Sequence, residues 1–379
     1  MASETPVPMR IPRVSVGLPV YNGERFLART LDDLLGQSFA DFELVVCDNA
    51  STDATPDILA DAARRDARVR VVRNPTNIGA LPNANRAFAL ARAPLYALAA
   101  YDDRHAPDFL ARLVDALDRT PEAILAYGAS TLVGTDDRPF PFDAERRRYT
   151  GPDGTAYHYD AALERPLAPG TTARAAVARY RAVLGSTDVN APIHGLFRRA
   201  ALERVGPHRL HGSDRLIIAH AALLGPFAYV PEPLFGYRIH AASTFHLSRS
   251  EWLAREAGRA VAVSALDGAR TLNAYVRATG EAGLCASTRA RAVVASVGYA
   301  VRPAVLRRAF LPGPDNYWGW TRWPGQSSPA PSCPPVLPAA LGPWAWLADP
   351  DPEKRGRGGR RRNTAGASDR TSFRADALP

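Results

Sequence analysis

The chain has 379 residues, 46% of them hydrophobic and three of them cysteine, with a formal net charge of +9. That length suits one large domain or two smaller ones, and the apolar share excludes a wholly disordered chain. The odd number and wide spacing of Cys47, Cys285 and Cys333 exclude a disulfide framework and a metal knuckle, which suits a reducing compartment. The first residues lack a charged region followed by an apolar core, so no signal peptide is expected. The apolar stretch 292–301 is far shorter than the roughly 20 residues a membrane span needs. These features predict a cytoplasmic protein. Much of the excess charge stands at 354–362, where Lys354, the single lysine, is followed by five arginines.

Residues 1–12 read as a disordered lead. From Val14 strand and helix alternate. Strand 14–18 precedes an amphipathic helix over 24–37, with Phe26, Leu27, Thr30, Leu31, Leu34 and Leu35 on one face. Strand 43–47 ends in Asp48. Ser51 or Asp53 caps a helix over 55–65, where Pro56 suits the first turn. Strand 69–72, helix 79–91, strand 95–100, helix 107–118 and strand 124–127 follow. This spacing predicts right-handed crossovers and a mainly parallel, Rossmann-like α/β sheet with helices on both faces.

From about 134 to 189 the pattern weakens, with a helix expected over 172–184. His194-Gly195 leads into a helix over 200–205 that stops at Gly206-Pro207. A helix over 213–224 ends at Gly225. Strand 227–230 follows, and Pro231-Glu232-Pro233 introduces 234–240. Residues 250–310 are Ala-rich and helical. Beyond Leu311 proline, glycine, serine and arginine dominate, which predicts a disordered tail.

Three strands end in polar, mostly acidic groups: Pro19, Tyr21 and Asn22 after the first, Asp48 after the second, Asp102-Asp103 after 95–100. In an open parallel sheet the strand C-termini meet at the ligand crevice. Acids gathered there suit a nucleotide with a divalent cation, because hard cations prefer oxygen ligands. Adjacent acids in a loop can also be merely solvated, or cap the helix over 107–118.

The order of motifs resembles the family-two glycosyltransferases, which use the A-type nucleotide-sugar (GT-A) fold. The matching pieces are Pro19-Val-Tyr21-Asn22-Gly-Glu24, Asp48-Asn49-Ala-Ser51-Thr-Asp53, Asn77-Ile-Gly79, Asn83-Ala-Asn85, Asp102-Asp103 with Pro107, Gly195-Leu-Phe-Arg198-Arg199, Ser213-Asp214 and Arg238-Ile-His240. Each piece is weak alone; in this order, over 13 to about 245, they are strong. Two departures stand out. Tyr101 replaces the first acid of the family's metal motif, and Ser213 precedes Asp214 where two acids are common. The Gln-x-x-Arg-Trp motif of processive synthases is absent: Arg322-Trp323 has Gly319 at the Gln position.

The resemblance implies a Mg²⁺ or Mn²⁺ cofactor, with Asp102 facing ribose and metal and Asp103 ligating the metal directly. Asp48 would accept a hydrogen bond from the base. Pro19, Tyr21 and Glu24 would wrap base and ribose, although Glu24 could equally cap a helix and Tyr21 simply pack. Asn85 would reach the nucleotide from its helix, or belong to a solvated polar face. Asp214 would be the base of an inverting transfer, or a plain N-cap. His240 would be a third metal ligand or contact the diphosphate, with His105 competing for that role.

The implied partners are a nucleoside diphosphate sugar, UDP before other carriers, and a hydroxyl on a glycan, a lipid-linked glycan or a small molecule. Residues 13–130 would hold the nucleotide, 131–248 the acceptor side, 249–312 a helical extension and 313–379 the tail. The basic cluster would allow peripheral contact with the inner face of a membrane; no specific nucleic acid is implied. The alternatives are a non-catalytic nucleotide-sugar or glycan-binding protein, and a sugar nucleotidyltransferase. The last needs a Gly-rich basic loop after the first strand, which Pro19-Val-Tyr-Asn-Gly is not.

Overall fold

The computed structural model describes residues 10–146, 148–158, 163–186, 190–206, 208, 213–243, 249–260 and 267–302. The expected lead (apart from 10–12), the tail over 313–379 and the basic cluster lie outside the described residues.

The chain opens with β1 (Val14–Val20), α1 (Leu27–Leu35), β2 (Phe42–Asp48), α2 (Thr55–Arg65), β3 (Val69–Arg73), α3 (Ala80–Leu90) and β4 (Leu95–Leu98). A two-residue strand β5 (Arg104–His105) precedes α4 (Phe109–Arg119) and the long β6 (Leu125–Val133). A small three-stranded sheet follows: β7 (Phe142–Asp143), β8 (Arg148–Thr150) and β9 (Ala156–His158). Then come α5 (Ala173–Gly185), α6 (Asn190–Ile193), β10 (Leu196–Arg198), α7 (Arg199–Val205), α8 (Ser213–Leu224) and β11 (Phe227–Arg238). Helices α9 (Arg249–Ala257), α10 (Asp267–Glu281) and α11 (Ala286–Ala300) close the described chain.

The main sheet has eight strands in the order β3-β2-β1-β4-β10-β6-β11-β5. Pairs β1–β2, β1–β4, β2–β3 and β6–β11 are parallel, as the alternating pattern predicts. β10 runs antiparallel to both β4 and β6, and β5 antiparallel to β11. The reversal of β10 has a consequence for the crevice. Leu196 pairs with Ala97 and Arg198 with Leu95, so the start of β10, not its end, lies beside the C-terminus of β4.

Strand alternation builds two cores, one on each face. Val14, Val16, Leu18, Leu95 and Ala97 point into the core with α1 and α4, including Leu31, Leu34, Leu110 and Leu113. Tyr96, Leu125 and Tyr127, one residue out of phase, point into the other with Tyr180, Ile218, Tyr275 and Ala292. Each fully buried aliphatic side chain contributes about 1.5–3 kcal/mol. Helices α10 and α11 therefore belong to the second core rather than to a separate cover, and the Tyr180 and Ser296 hydroxyls meet at 2.8 Å.

Several boundaries differ from expectation. α1 begins at Leu27 rather than 24, because residues 22–26 form a turn with Asn22 at φ 50°. β6 runs nine residues, not four. Residues 227–238 form one strand, not two: the register shifts between Val230 and Phe235 absorb Pro231 and Pro233, which lack ladder N–H groups. Among the described residues no helix is long and apolar enough to cross a membrane.

Candidate active site

The ends of β1 and β2 are zipped together by side chains donated across the gap. The Asn22 N–H donates to Ser51 Oγ at 2.9 Å, and the Thr52 N–H returns to Asn22 Oδ1 at 2.9 Å. Gly23 N–H donates to Thr55 Oγ1 at 2.8 Å. The Glu24 N–H donates to Asp53 Oδ2 at 3.1 Å, while Glu24 Oε2 accepts from Ala54 N–H at 3.0 Å. Glu24 thus caps α2, where the helix dipole favours a carboxylate. Pro19 lies half-buried within β1, and Tyr21 is 41% exposed at the rim. Asp48, buried at the end of β2, accepts from Ser51 N–H at 3.0 Å and from Arg73 Nη1 at 2.6 Å.

The neighbouring loop is shaped by asparagines. Asn49 Oδ1 accepts from Asn74 and from Ile78 N–H, and its amide donates to Asn77 and to the Gly79 carbonyl. Asn85, expected on the nucleotide, has both ends of its amide on the backbone of His208, at 2.9 and 2.8 Å.

Beyond β4 the chain turns through Tyr101-Asp102-Asp103. Thr30 Oγ1 lies within 2.8 Å of the Tyr101 carbonyl and 2.9 Å of the Asp103 carbonyl, which fixes the turn to α1. Asp102 Oδ2 meets His240 Nε2 at 3.0 Å. The His240 ring rests on Phe26, and the His240 backbone N–H donates to Ser243 Oγ at 2.9 Å. Asp103 is 2% exposed; its Oδ1 accepts from Arg238 N–H at 2.9 Å, and its Oδ2 has no hydrogen-bond partner. Burial, with the Asp102 charge added, pushes the Asp103 carboxyl well above the usual range, against the pull of Arg238. Arg238 also donates from Nε to the Asp102 carbonyl at 2.6 Å and pairs with Asp137. The end of β11 therefore clamps the acidic turn from behind.

The three side chains expected on the metal are only partly gathered. Asp102 and His240 meet, while Asp103 is turned into the protein behind them. Among the described residues no three acidic, histidine or cysteine side chains converge on one point. His105 packs between Phe109 and Phe235, its ring pushed down to about 3 by burial and by the His194 and Arg104 charges.

Asp214 stands in the first turn of α8, its side chain 38% exposed, with Oδ1 3.6 Å from His208 Nδ1. Burial holds His208 below its ordinary value, against the pull of the Asp214 charge. Glu256 on α9 is pushed up to about 8 by burial and then by Asp214.

Two side chains at the crevice carried no role in the sequence reading: His194 and Arg255. His194 Nδ1 meets the Leu98 carbonyl at 3.0 Å, so Nδ1 carries the proton, and the ring stacks on Phe235 at 4.7 Å. Both Asp214 and Asp102 act on it electrostatically, although burial keeps it below its ordinary value. The antiparallel run of β10 puts His194 there, and no local pattern announces that reversal. Arg255 reaches the same turn from α9.

Known proteins resemble this chain in sequence and in fold. Two Bacillus subtilis proteins named as glycosyltransferases are similar in sequence. EpsE is 35% identical over 109 residues, 28% of this chain and 39% of that protein. EpsH is 27% identical over 247 residues, 62% of this chain and 63% of that protein. The chain thus spans less than two thirds of the length of either. S. aureus TarS 1–349, solved in complex with UDP-GlcNAc, superimposes with a TM-score of 0.50 at 17% identity. That match covers 76% of this chain and 72% of TarS 1–349, and shows the same GT-A fold. The sequence model described as Glycosyl transferase family 2 matches residues 15–206, from the first strand to the end of α7, and the chain belongs to that family.

Proposed function

We propose that the chain is a divalent-cation-dependent, inverting glycosyltransferase. It moves a sugar from a nucleoside diphosphate, UDP first, to a hydroxyl of a glycan, lipid-linked or small-molecule acceptor. The observation that carries this reading is the Asp102–His240 pair at the strand ends, with Asp214 near enough that both aspartates act on His194. UDP comes first because it is the carrier in the TarS complex.

The residues fit a Mg²⁺ or Mn²⁺ ion. A carboxylate and an imidazole stand side by side, and the buried Asp103 Oδ2 behind them lacks a partner. Asp102 and His240 would hold the ion. When bound, it supplies Lewis-acid stabilisation of the departing diphosphate.

On the acceptor side Asp214 takes the proton from the attacking hydroxyl. It stands in the first turn of α8, at the positive end of the helix dipole. Glu256, pushed up to about 8 by burial and by Asp214, stays protonated at neutral pH. The acceptor oxygen then bonds to the anomeric carbon as the bond to the diphosphate oxygen breaks. Pro19, Tyr21 and Asp48 face the nucleotide in this reading. Glu24 and Asn85 act through what they hold in place, the start of α2 and the backbone at His208.

The test is donor turnover and nucleotide binding in chelator and in Mn²⁺. Chelation should abolish transfer and Mn²⁺ restore it. Asp214→Asn should lower transfer about a hundredfold or more, as for loss of a general base, with nucleotide affinity unchanged. Full turnover in excess chelator, or normal turnover by Asp214→Asn, would sink the corresponding part of the reading.

A further inference from the structure

Arg255 differs from the other arginines that reach the crevice floor. Arg104 and Arg238 are neutralised by Asp33 and Asp137, and Arg73 by Asp48. Arg255 instead donates from Nη1 to the Ala242 carbonyl at 2.7 Å and from Nη2 to the Tyr101 hydroxyl at 3.5 Å. Both acceptors are uncharged. Tyr101 directly precedes Asp102, and Ala242 follows His240 by two residues. Among the described residues no carboxylate is hydrogen-bonded to this guanidinium, which is held by the Tyr101 side chain and the Ala242 backbone, both within two residues of the Asp102–His240 pair.

The position is built into the fold. The end of α9 lies against the loop before α3 through two glycines, Gly79 at φ +92° and Gly258 at φ +66°. A Cβ on Gly79 would come within 2.5 Å of the Glu256 carbonyl oxygen, and one on Gly258 within 2.5 Å of the Gly79 nitrogen. Only glycine tolerates both the backbone angle and the approach. This contact places the last turn of α9, and Arg255 with it, at the strand ends.

We propose that Arg255 grips the diphosphate of the donor, oriented by the Tyr101 hydroxyl. The proposal rests on the nucleoside diphosphate reading above. A planar guanidinium donates two parallel N–H bonds to phosphate oxygens and keeps its charge at any working pH. As the bond from the anomeric carbon to the diphosphate oxygen breaks, the electron pair goes to that oxygen, and a preplaced N–H donor stabilises it without reorganisation. A phenol holds the group and leaves the charge for the ligand.

Calorimetric titration of the full chain with UDP and UMP, in chelator and in Mn²⁺, tests this. Arg255→Ala should weaken UDP about tenfold or more while leaving UMP within about twofold, the difference expected when a charge-assisted phosphate contact is lost. Arg255→Lys should recover part of the UDP affinity as a point charge, and Tyr101→Phe should lose less than Arg255→Ala. Unchanged UDP affinity in Arg255→Ala, with a native melting temperature, would show that Arg255 merely straps α9 to the turn and would overturn the proposal. Equal weakening of UDP and UMP would overturn it as well. If the unaltered chain binds neither UDP nor GDP, the donor reading itself falls, a result distinct from either. If GDP alone binds, GDP and GMP replace UDP and UMP in the series.

Discussion

At the scale of single residues, the crevice separates its carboxylates by environment. Asp102 is partly exposed and paired with an imidazole, Asp103 is sealed behind it, Asp214 is open, and Glu256 is half-buried on a neighbouring helix. The same side-chain chemistry thus yields one carboxylate held by an imidazole, one open carboxylate and two whose carboxyls are raised by burial. Glu256 provides a test independent of catalysis. Its folded value of about 8 lies above its ordinary 4.5, so the folded state binds the proton more tightly. The resulting stability is fully present below 4.5 and is lost as the pH rises through about 8. Glu256→Gln cannot titrate. Its melting temperature should fall less than that of the unaltered chain between roughly pH 5 and 9, which thermal unfolding across that range measures. Parallel curves would mean that Glu256 is ionised throughout.

At the scale of elements, the site depends on how β11 and β5 are tied to α1. Arg104 pairs with Asp33 on α1 and with Asp137, and Arg238 also pairs with Asp137. Burial opposes the charge on Asp137, but the Arg238 hydrogen bond and the Arg104 charge outweigh it and hold its carboxyl below the usual range. Asp137→Ala would leave two buried guanidinium groups short of a partner. It should cost about 3–5 kcal/mol in urea unfolding, as expected for breaking a buried ion pair from one side. The stabilisation by Asp137 is present above the ordinary carboxylate range and is lost on acidification through its lower folded value. Loss of less than about 1 kcal/mol would place the pair with weak surface bridges. The elements themselves were largely legible. Leu27, Leu31 and Leu34 mark the buried face of α1, and the apolar runs at 14–20 and 42–48 mark β1 and β2. The start of α1 was not, since a turn closed by hydrogen bonds to Ser51 and Thr55 has no local signature.

At the scale of the molecule, the two faces of the sheet are completed by distant parts of the chain. α11 lies some two hundred residues beyond β4, yet Ala292 is fully buried in the same cluster as Tyr96. Ala292→Asp would put an unpaired carboxylate into that core. It should destabilise by about 3 kcal/mol or more in denaturant titration, even though it stands far from the crevice. A neutral outcome would mean that α11 is a detachable cover.

The sequence by itself determined the family, the alternating α/β order, the parallel β1–β2–β3 half of the sheet and the acidic strand ends. These follow from local periodicity and from short motifs whose residues are neighbours in the chain. The tertiary structure decided the antiparallel β10 that brings His194 to the crevice, and the continuity of β11 through its two prolines. It also decided that Asp103 is sealed behind Asp102 and that Arg255 arrives from α9. Each depends on contacts between residues distant in sequence. Burial and charge pairing are set there by packing, which no local pattern encodes.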